Sequence, residues 1–184
     1  MNMNTRVIDK KQDLLLNSIS GFYLQEPTHI DKLIQILNGE YASLRLIDWF
    51  VTNYSKKYNI SYNTKSSSEI FKVYTSYKSQ LKSYSKKQFD PFNRTQRINF
   101  YYTTEKFITT TISQLNFFRW AIQYNVIDYI KDHIEDIDKD MNASLNYIYK
   151  KTGEKTDRKK RKALSISATK FLNKDDITIL VKIT

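Results

Sequence analysis

The chain has 184 residues, 40% of them hydrophobic and 14% aromatic, with no cysteine and a formal net charge of +11. That length and apolar content suit one globular domain with its own core. The composition excludes a disulfide framework, thiolate metal sites and a cysteine nucleophile, and three glycines leave almost no room for a phosphate-cradling glycine loop.

The charge is uneven along the chain. Residues 1–55 carry 5 basic and 6 acidic side chains, 56–106 carry 11 and 3, 107–149 carry 3 and 6, and 150–162 carry 8 and 2. Two basic blocks therefore hold the excess, with an acidic block between them. This asymmetry favours a polyanionic partner, because each phosphate met by Lys or Arg releases condensed counterions.

The opening stretch "MNMNTRVIDKKQDLLLNSIS" has only a short apolar core and contains Asp9 and Asp13, so it does not read as a secretory signal. No run of about 18 apolar residues occurs, and no membrane partner is expected. The first predicted helix is "EPTHIDKLIQILNGEY". Thr28 and Asp31 there resemble a capping box, Ile30, Leu33, Ile34 and Leu37 form a stripe, and Asn38-Gly39 suits a C-cap. A second helix, "EYASLRLIDWFVTNYSKKYN", directs Leu44, Ile47, Trp49 or Phe50, Val51 and Tyr54 inward, and the short connection implies an antiparallel pair.

"NISYNTKSSS" reads as a polar loop. From Glu69, Ile70, Val73, Tyr74, Tyr77, Leu81 and Tyr84 recur at helical spacing, while Lys72, Lys78, Lys82, Lys86 and Lys87 mostly lie off that stripe. This helix must end before Pro91. "RINFYY" alternates as a short strand. A long helical region is predicted from Lys106, with Ile108, Ile112, Leu115, Phe118 or Trp120, and Ile122 on one face and a break over Gln123 to Asn125. Beyond it, Val126, Ile127, Ile130, Ile134, Ile137, Met141, Leu145 and Ile148 predict one uninterrupted helix. "KKTGEKTDRKKRK" lacks apolar residues, and "LSISATKF" and "ITILVKIT" suit a β-hairpin.

The expected fold is thus mainly α, a single-domain helical bundle with a small β component that includes a C-terminal hairpin, α+β at the margin. Residues 1–149 form the helical domain, 150–162 a basic linker or arm, and 163–184 a hairpin packing on the same domain.

Chemistry is sparse. His29 and His133 are isolated in sequence, and Asp128, Asp132, Asp136 and Asp140 recur at i+4. Asp132, His133 and Asp136 make a weak candidate for a divalent cation. The competing reading is a solvated helix face opposite the isoleucines. That solvated face is the leading expectation; like charges at i+4 cost a few tenths of a kcal/mol per pair, and a basic partner or the protein's own arm is the alternative that would offset them. None of the glycine-loop, zinc-protease or nucleophile-elbow motifs occurs, so no catalytic residue, no cofactor and no enzymatic activity are expected.

The nucleic-acid reading rests on two features. Region 54–102 holds Tyr54, Tyr58, Tyr62, Tyr74, Tyr77, Tyr84, Tyr101 and Tyr102 among its cations. Tyrosines can stack on bases, although Tyr74, Tyr77 and Tyr84 fall on the buried stripe. The lysines named above, with Arg94 and Arg97, would meet phosphates, and Arg158, Lys159, Lys160, Arg161 and Lys162 would form a tethering arm. Sequence-independent binding is expected, to DNA rather than RNA.

The blocks "LRLIDWFVTNYSKK" (44–57), "VYTSYKSQLKSYSKKQFDPF" (73–92), "TTTISQLNFFRWAI" (109–122) and "RKALSISATK" (161–170) resemble an uncharacterised protein shared among nucleocytoplasmic large DNA viruses, giant viruses included. The resemblance brings no catalytic residues. It implies a viral protein acting in the host cytoplasm, at a viral factory, or in the nucleus, or packaged in the virion. An alternative to nucleic-acid binding is a virion structural or assembly protein that forms homo-oligomers or binds other viral proteins through complementary basic and acidic surfaces.

Overall fold

The computed structural model describes residues 10–64, 70–94 and 96–151. The chain divides into a unit of residues 1–146 and a second of 147–184, in which only the helical backbone up to Lys151 is described. The basic run 158–162 and the expected hairpin over 163–184 lie outside the described residues. The first unit is mainly α with a small β component, as expected. Among the described residues, the β part consists of two antiparallel pairs inside the helical region.

Helix α1, Lys10–Gln25, was not expected. Its apolar positions Leu15, Leu16, Ile19, Phe22 and Tyr23 keep helical spacing, but Asn17, Ser18, Ser20 and Gly21 dilute the pattern. Ile19 and Tyr23 are fully buried, and the Tyr23 hydroxyl donates to the Leu115 carbonyl at 2.9 Å. Helix α2, Pro27–Leu37, buries Ile30, Leu33 and Ile36. Its N-cap is Glu26 rather than Thr28, because Pro27 at the first helical position sets the start two residues earlier. The Thr28 hydroxyl instead donates to the Glu26 carboxylate at 3.4 Å. The C-terminus ends as expected, with Gly39 at φ 75°.

Helix α3, Leu44–Trp49, is capped by Ser43, whose hydroxyl accepts the Leu46 N–H at 3.1 Å. It continues through a π-helical segment, Phe50–Tyr54, into the short α4, Ser55–Lys57. Thr52 and Ser55 hydroxyls donate to the Asp48 and Val51 carbonyls four residues back, at 2.6 and 3.0 Å, beside the widened turns. Strands β1, Ser61–Asn63, and β2, Ile70–Lys72, then pair antiparallel, where a loop and a helix start were expected. Ile70 is therefore 64% exposed and off the core stripe.

Helix α5, Val73–Gln88, buries Val73 and Tyr77 and ends before Pro91. It is not straight: Ser85 sits at φ 59° and ψ 168°, which divides the expected lysine row between Lys82 and Lys86. Strand β3, Ile98–Tyr101, forms where expected and pairs with β4, Phe107–Thr110. The β4 segment was expected to be helical, since Ile108 and Ile112 are four apart. The β-branched run "ITTT" and a waiting partner strand prevail over that spacing.

Helix α6, Ile112–Gln123, begins at Thr111, whose hydroxyl accepts the Gln114 N–H at 3.1 Å. Asn125 at φ 56° makes the expected break before α7, Val126–Asp132. The single long helix predicted beyond it is interrupted at His133, and α8 runs Ile134–Lys151. The interruption turns Ile134 outward while Ile137 and Met141 stay buried.

The core centres on α6, which is buried nearly all round: Leu115, Phe117, Phe118, Trp120, Ala121 and Ile122 with Ser113 and Asn116. The Trp120 ring lies 5.7–6.3 Å, centroid to centroid, from Phe71, Tyr77, Phe89 and Phe117. Such aromatic pairs add about 0.5–1.5 kcal/mol each beyond their area burial.

Ser85 lies in a region that costs a side chain about 1–3 kcal/mol, and it is exposed. Glycine adopts that conformation without strain. Ser85→Gly is therefore expected to raise stability by about 1 kcal/mol in urea unfolding, net of glycine's extra unfolded-state entropy.

Candidate nucleic-acid interface

The polar residues of α6 explain how the basic segment is held. A buried helix must satisfy its polar side chains internally, and here the acceptors are backbone carbonyls of the segment that follows α5. Asn116 Nδ2 donates to Gln88 O at 2.9 Å, and Gln114 Nε2 to Pro91 O at 2.9 Å. The Thr111 hydroxyl donates to Asn93 O at 3.2 Å, and that of Ser113 to Asp90 O at 3.3 Å. Asn93 Nδ2 in turn donates to Lys87 O at 3.3 Å. The first turn of α6 thus anchors the stretch from Lys86 to Asn93. Arg94 follows directly, and Arg97 precedes Ile98, which pairs with Thr110 next to the α6 cap.

Lys72, Lys78, Lys82, Lys86, Lys87, Arg94 and Arg97 are all exposed, and among the described residues none of them forms an ion pair. Lys78 and Lys82, one helical turn apart, border a shallow depression with Thr75, Ser79 and Leu81. Lys86 and Lys87 follow the Ser85 kink and leave that line. Lys86 has acidic surroundings: burial first, then the neighbouring Asp90 carboxylate, push Asp48 above the usual carboxylate range, and Lys86 only partly opposes this.

The tyrosines answer differently. Tyr77 is buried, and burial first among several causes pushes its hydroxyl up to about 12. Tyr84 packs on Phe89 with centroids 6.4 Å apart, and Tyr62 stacks on Tyr129 at 5.1 Å. Tyr74 is half-buried under the Lys56 ammonium, 5.6 Å from its ring centre. Tyr54 and Tyr102 are half-buried too, which leaves Tyr58 and Tyr101 as the exposed pair of the original eight.

The aspartate line does not survive as a line, because His133 breaks the helix within it. Asp128 pairs with Lys32, whose ammonium donates to both carboxylate oxygens at 3.0 and 3.1 Å. Asp140, expected on the wet face, is only 8% exposed. It accepts hydrogen bonds from Trp49 Nε1 at 3.1 Å, the Tyr58 hydroxyl at 3.0 Å and the Lys57 ammonium. Asp128 and Asp140 are thus compensated by Lys32 and Lys57, whereas the basic arm named for that role lies outside the described residues. Asp132 and Asp136 remain exposed. The His133 ring stacks on Tyr129 and donates from Nδ1 to the Tyr129 carbonyl at 2.9 Å. No three His, Asp or Glu side chains converge as metal ligands among the described residues.

The Asp140 node depends on the π segment. Trp49 and Lys57 are eight residues apart, which overshoots two α-helical turns by about 0.8 residue. The wider turns of Phe50–Tyr54 absorb that excess and return Lys57 to the side of Trp49. The node was missed in the sequence although a signal existed: Asp140 stands three residues from Ile137 and next to Met141, on the buried face.

Burial alone would raise the Asp140 carboxyl. The hydrogen bonds from Lys57, Trp49 and Tyr58, with the Lys57 charge, outweigh it and hold the group below the usual carboxylate range. A carboxyl lowered in the folded state stabilises the fold above its unfolded pKa of about 4, and loses that contribution as pH falls through the folded value. Asp140→Ala should therefore cost about 2–3 kcal/mol at neutral pH in urea unfolding, with the gap to wild type narrowing by about pH 2.

Among the described residues no helix is long and apolar enough to cross a membrane. The chain is 35% identical over 170 residues to an uncharacterized protein of Acanthamoeba polyphaga mimivirus. The match covers 88% of this chain and 62% of the relative, so the chain spans less than two thirds of that protein's length. No solved structure matches. Residues 1–182 match the model of a family described as "Family of unknown function (DUF7197)", and the giant-virus resemblance of the sequence blocks accords with this; the chain belongs to that family.

Proposed function

We propose that this viral protein binds nucleic acid without catalysis, DNA before RNA, through backbone phosphates. The observation that carries this reading is the contrast between two sets of cations. Lys32, Lys57 and Lys139 are matched to carboxylates of the same fold. The cations from Lys72 to Arg97 are left exposed, and α6 holds the stretch from Lys86 to Asn93 among them in place. An unpaired, pre-positioned cation keeps its full counterion-release contribution when a phosphate arrives. Lys78, Lys82, Lys87, Arg94 and Arg97 carry most of the attraction, and Lys86 less, since Asp48 and Asp90 lie near it. With tyrosine rings used largely in packing, the segment recognises charge rather than base sequence. Residues 158–162 would add a second basic contact.

A second reading, self-association or binding of other viral proteins through complementary charge, draws on a narrower observation. Asp132, Asp136 and Asp138 are exposed and make no ion pair among the described residues.

Fluorescence anisotropy with labelled DNA separates the two. Binding should weaken log-linearly with salt. Reversing Lys78, Lys82 and Lys87 to Glu should weaken it by at least about tenfold near 0.1 M salt and flatten the slope by about 2–3. The absence of any complex at low salt would overturn the nucleic-acid reading. A defined oligomer in light scattering, dispersed by Asp132→Asn, Asp136→Asn and Asp138→Asn together, would establish the second.

A further inference from the structure

The β3–β4 ribbon has two unlike faces. Ile98, Phe100, Ile108 and Thr110 face the body of the fold, and Phe100 and Thr110 are buried. The other face alternates Asn99 and Tyr101 on β3 with Phe107 and Thr109 on β4. Tyr101 and Phe107 are directly opposite in register, with ring centroids 5.1 Å apart at 47°, yet they are 55% and 46% exposed. Cross-strand pairing occupies one side of each ring and leaves the rest of both in water.

Basic residues flank the ribbon at its two ends. Arg97 stands one step before β3, at the Ile98–Thr110 end, and Lys106 one step before Phe107, at the ribbon tip. Arg94 and Phe92, the latter 42% exposed, flank Asn93, whose carbonyl Thr111 holds beside the end of β4. The acidic residue at the ribbon tip is Glu105.

We infer that this face is a stacking platform for single-stranded DNA, with unpaired bases on Tyr101 and Phe107 and phosphates on Arg97, Arg94 and Lys106. The inference rests on the phosphate-binding reading and gives it a strand preference. Aromatic faces reward bases released from a duplex, because paired bases are already stacked on each other. Beside the rings, Thr109 Oγ1 donates to Asn99 Oδ1 at 3.1 Å. The choice of DNA over RNA carries over from the phosphate-binding reading, and the oligo(U) arm below tests it.

The test uses the full chain and fluorescein-labelled oligonucleotides near 0.1 M salt: oligo(dT), oligo(U) of equal length, and a matched DNA duplex. Wild type should bind oligo(dT) more tightly than the duplex. The Tyr101→Thr, Phe107→Thr double variant keeps strand propensity. It should lose about 5- to 100-fold for oligo(dT), with duplex affinity within about twofold of wild type. Tyr101→Phe with Phe107→Tyr keeps both rings and should bind as wild type. Circular dichroism and urea unfolding establish that each variant is folded. If wild type binds both DNA forms alike, or the double variant loses nothing for oligo(dT), the platform is wrong while phosphate binding stands. If wild type binds no nucleic acid, the underlying reading fails with it. Oligo(U) binding more than about tenfold tighter than oligo(dT) overturns the DNA assignment. A dimer dispersed by the double variant makes the pair a self-association surface and overturns the platform.

Discussion

The burial of α6 is the constraint on which the rest of this fold depends. A helix enclosed nearly all round must find partners for every polar group it carries, since an unmet donor or acceptor in the interior costs about 1–3 kcal/mol. Asn116, Ser113, Gln114 and Thr111 meet this demand with carbonyls of Gln88, Asp90, Pro91 and Asn93. Those carbonyls belong to the end of α5 and the passage beyond it, where a helix terminus leaves acceptors unpaired in any case. One set of hydrogen bonds therefore satisfies both elements and fixes an irregular, cation-bearing segment to a helix buried nearly all round.

That arrangement divides the charges of the protein into two populations. Inside the acidic block, Asp128 and Asp140 are matched by Lys32 and Lys57, and the Asp140 carboxylate is sheltered enough to tie α3, α4 and α8 into one node. The node needs the π segment, because a regular helix would turn Lys57 away from the side that Trp49 presents. From Lys72 to Arg97 the opposite holds, and exposed cations face water without carboxylates in pairing distance among the described residues. Lys32 and Lys57 are neutralised within the fold, whereas the cations of the second population form no ion pair among the described residues.

The aromatic residues divide similarly. Tyr62, Tyr77 and Tyr84 are absorbed into a ring network around Trp120, Phe89 and Tyr129, where their apolar bodies are worth more than a place at the surface. Tyr101 escapes this because a strand alternates its faces strictly. With Phe100 turned inward, Tyr101 must point out, and the register of β4 brings Phe107 beside it. The exposed aromatic surface is thus carried by a different element from the tyrosine-rich helix that suggested it.

The sequence by itself determined the predominance of helix, the α2 stripe with its Gly39 turn, the β3 strand, the break at Asn125 and the segregation of charge. These follow from local periodicity, from residues with special backbone freedom, and from counting. It also marked Tyr77 and Tyr84 as packing residues, because helical spacing placed them with Val73 and Leu81. Only the tertiary structure decided the rest. The strand β4 exists because β3 offers it a partner, and the helix break at His133 and the kink at Ser85 leave no periodic trace. Asp140 is a buried acceptor because Trp49 and Lys57, far away in the chain, arrive on the same side of a π turn. Periodicity reports which way a residue faces within its own element, whereas pairing across elements depends on where those elements meet, and no local spacing encodes that.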